Sequence, residues 1–232
     1  MSGAAAESSA RRPHRLVVNE IYRSLQGETT RAGLPCTLVR LTGCGLRCTY
    51  CDTRYAFHEG HGQSIPHILD RVRELGNDLV LVTGGEPLEQ EATFALLEAL
   101  QADGATVMVE TGGHVDIRRA LAATATLVLD LKTPGSGMSE RNLWSNLARL
   151  RPSDEVKFVL TDRQDYLWAR QVLASSRVGG KPLTEHCPVL FSPAHPQMEP
   201  SRLAAWILED RLPVRLNLQL HKILWPQAAR GV

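Results

Sequence analysis

The sequence predicts an incomplete parallel β/α barrel, and three observations lead to that fold class. Short, continuously apolar segments recur along the chain, which indicates strands that are covered on both faces, as in a parallel sheet. Amphipathic helical patterns lie between these segments, so the predicted order is strand, helix, strand. The chain has 232 residues, whereas a full eight-unit barrel usually needs about 250. The predicted barrel is therefore too short to close.

The predicted strands begin with a segment that only partly alternates between apolar and polar residues. This segment, 14–28, is predicted to form an extra strand ahead of the barrel. The core strands that follow are rich in Val, Leu and other residues that favour buried strands. They are predicted at 36–41, 78–83, 105–111, 125–131, 155–161, 187–192 and 214–220.

Helices are predicted between these strands. In the segment 88–104, Phe94, Leu97 and Leu100 recur at helical spacing, and Gly104 suits a helix C-terminus. Similar amphipathic patterns predict helices at 64–75, 115–122, 139–150, 162–174 and 200–210.

Glycine and polar residues follow strand after strand, as in "TGC", "TGGEP", "ETGG", "DLKTPG", "FSPAHPQ" and "QLHK". In parallel α/β folds the carboxyl ends of the strands carry the functional site. The sequence therefore places the chemistry of this protein on one rim of the barrel.

Composition excludes several classes of partner. The formal net charge is +1 and no long basic block is present, so nucleic acid is not an expected partner. The chain has no run of eighteen apolar residues, so the sequence predicts no membrane span. The first fifteen residues lack a secretory apolar core. We expect a disordered arm at 1–14, a single domain at 15–232 and a cytoplasmic location.

Three of the five cysteines, Cys44, Cys48 and Cys51, have the spacing C-x3-C-x2-C. An odd cysteine count without a signal peptide favours metal or redox chemistry over disulfides. Zinc completed by His58 or His61 and a three-thiolate 4Fe-4S cluster with one open iron both remain possible on spacing alone. The other two cysteines, Cys36 and Cys187, are predicted to be small buried apolar residues.

The cysteine loop after the first core strand, together with the later "TGGEP", resembles the radical S-adenosylmethionine superfamily. This resemblance implies that Cys44, Cys48 and Cys51 hold a 4Fe-4S cluster whose open iron binds S-adenosylmethionine. An electron from the cluster then cleaves the cofactor to a 5′-deoxyadenosyl radical. The cofactor-binding residues implied by the resemblance are Tyr50, Gly84, Gly85, Glu86, Glu110, Thr111, Lys132 and Ser192.

Within that superfamily, "NEIYRSLQGE", "GCGLRCTYCDT", "TGGEP" and "LQLHK" are together similar to the 7-carboxy-7-deazaguanine synthases, over roughly residues 18–225. The resemblance implies a carbon-nitrogen lyase of queuosine biosynthesis. Such an enzyme converts 6-carboxy-5,6,7,8-tetrahydropterin to 7-carboxy-7-deazaguanine with loss of ammonia. It also implies Mg²⁺, a homodimer and an electron donor such as flavodoxin or ferredoxin. The alternatives are a glycyl-radical enzyme activase and a zinc-stabilised binding module.

The same resemblance assigns roles around the substrate but names no catalytic side chain. Arg40 is predicted to pair with the substrate carboxylate through two parallel hydrogen bonds, although a structural ion pair of a strand residue is the alternative. Thr53 is predicted to place Mg²⁺, for which a hydroxyl is a suitable oxygen ligand. His221 is expected at the end of the last strand, facing the rim. The predicted substrate-binding residues are Gln26, Glu28, Arg40, Thr83 and His221.

Overall fold

The computed structural model describes residues 15–227 and 230–232, so the predicted disordered arm at 1–14 lies outside the described residues. These described residues contain eleven strands, and the predicted extra strand ahead of the barrel is the first of them. The strands are β1 (Arg15–Leu25), β2 (Pro35–Leu41), β3 (His61–Ser64), β4 (Leu79–Gly84), β5 (Thr106–Thr111), β6 (Thr126–Leu131), β7 (Glu155–Leu160), β8 (Arg177–Val178), β9 (Lys181–Pro182), β10 (Val189–Pro193) and β11 (Arg215–Leu216).

Nine of these strands form one sheet in the order β11-β10-β7-β6-β5-β4-β2-β1-β3. From β2 to β11 every neighbouring pair is parallel, whereas β1 pairs antiparallel with both β2 and β3. The two ends of the sheet, β3 and β11, do not pair with each other. The open, mainly parallel sheet confirms the predicted incomplete barrel.

The helices are α1 (Ile65–Leu75), α2 (Ala92–Ala102), α3 (Arg118–Leu121), α4 (Arg163–Ser175), α5 (Leu183–His186), α6 (Pro200–Glu209) and α7 (Leu220–Leu224). The best-defined ends are those of α1. Ser64 caps its N-terminus by accepting a hydrogen bond from the His67 amide, and Gly76 ends it in the left-handed conformation at φ 67°. No helix in residues 15–227 or 230–232 is long and apolar enough to cross a membrane.

The α-helix predicted at 139–150 is wrong. The chain forms two separate 3-10 turns there, Ser139–Arg141 and Trp144–Arg149. The amide of Asn142 bonds both backbone groups of Lys132, and the amide of Asn146 donates to the Val115 and Gly113 carbonyls. Side-chain bonds of this kind compete with helical backbone bonds and hold the segment against the neighbouring strand ends.

The strand predicted at 214–220 is also wrong over most of its length. Only Arg215–Leu216 pairs with β10, and the chain then turns into α7. The turn follows from Asn217, whose amide group bonds to the Thr29 amide and to the side chains of Glu28 and Ser192. His221 therefore lies in the first turn of a short helix and not at a strand end.

The sheet is buried on both faces. One face packs on the helices through the main core, which includes Val39, Val80 and Val82. The opposite face forms a smaller cluster inside the barrel, made of Cys36, Leu38, Leu79, Leu81, Met108 and Val128. This two-sided burial explains why the strands read as continuous apolar runs.

Candidate active site

One large cavity opens at the carboxyl ends of the parallel strands, above the smaller apolar cluster. Thr83 from β4, Glu110 from β5, Asp130 from β6 and Lys157 from β7 all line it. All but two of the predicted site residues lie on its wall. Those that do are Gln26, Glu28, Arg40, Cys44, Cys48, Tyr50, Cys51, Thr53, Thr83, Gly84, Gly85, Glu110, Thr111, Lys132 and His221.

The three cysteines of the loop after β2 are free thiols on this wall, each partly exposed. The loop is stabilised locally, because the Cys51 amide donates to the Cys48 carbonyl at 3.2 Å and the Leu46 amide to Cys44 Sγ at 3.4 Å. Burial raises the pKa of the Cys44 thiol to about 11. A thiolate at this position therefore needs the positive charge of a bound metal.

The zinc alternative finds no support in the geometry. Among residues 15–227 and 230–232, no three His, Cys, Asp or Glu side chains are grouped to hold a single metal ion. His58 and His61 do not line the cavity that the cysteines share. Three thiols that line one cavity instead suit a larger cluster that they ligate at three corners.

The two glycines at the end of β4, Gly84 and Gly85, pack against the start of the cysteine loop. A Cβ on Gly84, where φ is 145°, would lie 2.2 Å from the Leu41 carbonyl oxygen. A Cβ on Gly85 would lie 2.0 Å from the Gly43 carbonyl oxygen and 2.9 Å from the Cβ of Cys44. These glycines let two backbone segments meet directly at the rim of the cavity.

Glu86 and Ser192 were predicted to bind the cofactor, and the structure places neither on the cavity wall. The Glu86 carboxylate is buried and accepts hydrogen bonds from the Leu88 and Gly112 amides and from the Thr111 hydroxyl. The Ser192 hydroxyl accepts a hydrogen bond from the Asn217 amide at 2.8 Å. Both side chains are hydrogen-bonded inside the protein, where they help to hold the loops around the site, and their contact with the cofactor stays a prediction.

A buried charge cluster forms one side of the cavity. Lys157 Nζ lies 3.0 Å from Glu28 Oε2 and 3.7 Å from Asp130 Oδ2, and it also bonds the Glu110 carboxylate. Lys132 Nζ bonds Asp130 Oδ2 at 2.8 Å. Burial alone would lower the pKa of Lys157, but the three carboxylates together raise it well above its usual value.

Sequence reasoning missed Lys157 and Asp130, although a signal was present. Each is a charged residue inside an apolar run, in "EVKFVLT" and "ATLVLDL". A charge in a strand that is buried on both faces needs a partner, and neighbouring parallel strands bring such partners together. The two residues could have been predicted as a pair on this ground.

Two buried polar atoms on the cavity wall have no hydrogen-bond partner among the described residues. They are the Tyr50 hydroxyl and Asp130 Oδ1. Burial also raises the pKa of Tyr50, so its hydroxyl stays protonated and can donate. Unpaired buried polar atoms that line a cavity are suited to a bound polar ligand.

The segment after β1 is held from two sides. Glu28 accepts hydrogen bonds from Gln219 at 3.0 Å and Asn217 at 3.2 Å, and the side-chain Oε1 of Gln26 accepts from the Glu28 backbone amide. The Leu220 amide donates to the Gly27 carbonyl at 2.9 Å. These contacts attach the segment before α7 to the Gln26–Glu28 segment, an arrangement that "NLQL" did not reveal.

Arg40 lies on the cavity wall but is already engaged. Its Nε donates to Glu20 Oε1 at 2.8 Å and one Nη to the Tyr22 hydroxyl at 3.0 Å. The ion pair of the alternative interpretation is therefore present. These contacts use two of the five N–H donors of the guanidinium, which leaves its Nη1 side for a ligand.

Thr53 lies on the wall beside the cysteines, with its hydroxyl 3.8 Å from Cys51 Sγ. Its neighbour Asp52 forms an ion pair with Lys222 of α7 at 3.0 Å. His221 lies next to that lysine, and burial lowers its pKa. The cysteine loop and α7 are therefore connected across the cavity by an ion pair.

Comparison with known proteins agrees with this geometry. Residues 38–135 match the model of the Radical SAM superfamily. The chain is 44% identical over 220 residues to 7-carboxy-7-deazaguanine synthase of Chlorobaculum tepidum, covering 94% of this chain and 97% of the relative. It is 40% identical to the enzyme of the same name from Koribacter versatilis, covering 93% of this chain and 99% of that one.

A solved structure has a similar fold. The crystal structure of QueE from Escherichia coli superposes with a TM-score of 0.70, covering 88% of this chain and 94% of the other, at 22% sequence identity.

Proposed function

Since the chain belongs to the 7-carboxy-7-deazaguanine synthase family of radical S-adenosylmethionine enzymes, we propose that it converts 6-carboxy-5,6,7,8-tetrahydropterin to 7-carboxy-7-deazaguanine with loss of ammonia. The enzyme class is that of a radical lyase in queuosine biosynthesis. The single observation that supports the proposed reaction best is that the three loop cysteines and the Glu28 carboxylate line one cavity. No observation favours the activase alternative.

Cys44, Cys48 and Cys51 are the residues that would hold the 4Fe-4S cluster, because they are the three partly exposed cysteines on the cavity wall. When bound, the cluster supplies an open iron for S-adenosylmethionine and the electron that starts radical chemistry. We propose that Tyr50, Gly84, Gly85, Glu110, Thr111 and Lys132 bind this cofactor, since all of them line the cavity beside the cysteine loop.

The proposed pterin site lies at the Gln26–Glu28 segment, with Thr83 and His221 on the same wall. A 2-amino-4-oxo pterin presents adjacent N–H donors, and a carboxylate such as Glu28 accepts from both. Lys157 lowers the pKa of Glu28 below its ordinary value despite the opposing effect of burial. Glu28 is therefore ionised at neutral pH, as this contact requires.

Further properties follow from the family and remain proposals for this chain. The chain would form a homodimer, receive electrons from a donor such as flavodoxin or ferredoxin, and be located in the cytoplasm. A reducing compartment suits a chain whose five cysteines are all free thiols.

The reaction is tested by mixing the anaerobically reconstituted, reduced protein with S-adenosylmethionine and the carboxypterin. We expect the product, identified by mass spectrometry, to be the 7-carboxy deazapurine, formed with one ammonia per turnover. A protein that carries about four irons but leaves the carboxypterin unchanged would overturn the proposed reaction.

Replacing Thr53 with alanine tests the proposed Mg²⁺ site. The change removes a neutral oxygen ligand from the cavity wall beside Cys51. We expect the Mg²⁺ concentration for half-maximal turnover to rise about tenfold, since one ligand bond to a weakly held cation is lost. The conservative variant Thr53→Ser keeps the hydroxyl and should stay near the wild type. Equal Mg²⁺ requirements in all three proteins would remove Thr53 from the site.

Replacing Arg40 with alanine tests whether this residue binds the substrate carboxylate. Loss of a charge-assisted bond corresponds to about 1.5 to 3 kcal/mol, so KM for the pterin should rise about tenfold or more while the iron content is unchanged. Glu20→Gln is the matched control, because it removes the partner of Arg40 and keeps the guanidinium. If Glu20→Gln raises KM as much as Arg40→Ala does, the role of Arg40 is the structural ion pair alone.

A further inference from the structure

We infer that Lys157 is a positioning residue, which holds the Glu28 carboxylate in place as the acceptor for the substrate. This inference rests on the proposed function, because it takes the pterin's donor edge as the group that Glu28 receives. Lys157 acts on the substrate through Glu28.

Lys157 connects parts of the chain that are distant in sequence. It lies in β7, 4% exposed, between the fully buried core residue Phe158 and the buried Val156. Its ammonium group reaches Glu28, 129 residues away in sequence, as well as Glu110 of β5. Without this lysine, Glu28 would keep only the neutral donors Asn217 and Gln219.

The other charges around the site already have partners or are neutral. Asp130 bonds Lys132 at 2.8 Å, so its charge is compensated independently of Lys157. His221, on α7 near Glu28, has a pKa lowered by burial and is neutral at pH 7. Tyr50 of the cysteine loop also lines the cavity, and its hydroxyl has no hydrogen-bond partner among the described residues. Among the described residues, Lys157 is the one cation that bonds both Glu28 and Glu110.

The two carboxylates that share Lys157 respond differently to it. Burial pushes the pKa of each upward, but Lys157 brings Glu28 below its ordinary value, whereas the pKa of Glu110 stays raised. Without the lysine, the effect of burial is no longer offset at Glu28, and its pKa rises. A protonated carboxyl loses acceptor capacity for two adjacent N–H groups. Substrate binding should then improve as pH rises and Glu28 ionises.

The test is Lys157→Gln, with Lys181→Gln as the matched control, because Lys181 is an exposed lysine of β9 that does not line the cavity. We expect KM for the carboxypterin to rise about 10- to 100-fold at pH 7, with the iron content unchanged. The log of kcat/KM for the variant should climb between about pH 6 and pH 9, where the wild type is flat. Lys157→Arg, which keeps the charge, should restore the flat profile. A Lys157→Gln enzyme with wild-type KM and pH profile overturns the inference.

A second variant covers the case in which Lys157→Gln does not fold. The double change Lys157→Gln with Asp130→Asn removes one charge of each sign, so the cluster keeps its net charge while Glu28 still lacks its partner. It should show the same rise in KM and the same pH dependence, and wild-type values would overturn the inference. The two proposals are separable, because a wild-type protein that makes no deazapurine disproves the reaction and the role of Lys157 with it. If the wild type makes the product and the Lys157 variant behaves like the wild type, only the role of Lys157 is disproved.

Discussion

The Cys48→Ala enzyme is expected to carry less than about one iron per chain, against about four in the wild type, and to show no turnover above background. A cubane held at three corners has no spare protein ligand, so losing one thiolate exposes a second iron and the cluster decays. The radical reaction cannot proceed without it. Iron and sulfide analysis of anaerobically reconstituted protein, together with the product assay, measures both effects.

The control for this experiment is Cys187→Ala, since Cys187 is a free thiol that lies buried, 4% exposed, away from the cavity. It should keep its iron and its turnover, with a stability loss of about 1 kcal/mol from a small cavity. Full iron content in Cys48→Ala would contradict the assignment of the cluster to the loop. Loss of iron in both variants would show a general folding defect.

Much of the fold could be predicted because the signals are local. Continuous apolar runs marked the six long core strands, and the partly alternating segment marked β1, whose pairing is antiparallel. Both wrong predictions involved asparagine side chains. Asn142 and Asn146 interrupt a helical pattern and Asn217 ends a strand, each by bonding backbone atoms distant in sequence. Such bonds depend on the tertiary structure and leave no periodicity in the sequence.

The candidate site was predictable where the residues carry an unusual pattern. The cysteine spacing and the glycines before Glu86 led directly to the cavity wall. The surroundings of Glu86 could not be predicted, because a sequence shows that a carboxylate follows two glycines but not that three donors bond it inside the protein. Lys157 was missed for the opposite reason, since its partners come from three other segments of the chain.

Replacing Gly85 with alanine should strongly lower the stability of the protein, because the added methyl group meets backbone atoms. Its Cβ would lie 2.0 Å from the Gly43 carbonyl oxygen, and that oxygen accepts a 2.7 Å hydrogen bond from the Glu86 amide. Relief of this overlap must move β4 away from the cysteine loop, at a cost of about 3 kcal/mol in the free energy of unfolding. Iron content and the denaturant midpoint of the reconstituted protein measure the outcome.

The matched substitution for Gly85→Ala is Gly62→Ala in β3. A Cβ there would meet only the flexible end of the Arg15 side chain, at 3.3 Å from its Nε. Its effect on stability should stay within about 0.5 kcal/mol, with full iron content. Because neither glycine needs a left-handed backbone, the comparison isolates contact with the cysteine loop from backbone strain. If Gly85→Ala keeps its iron and its midpoint as well as Gly62→Ala does, close packing of the two rim segments is not what fixes Cys44 in position.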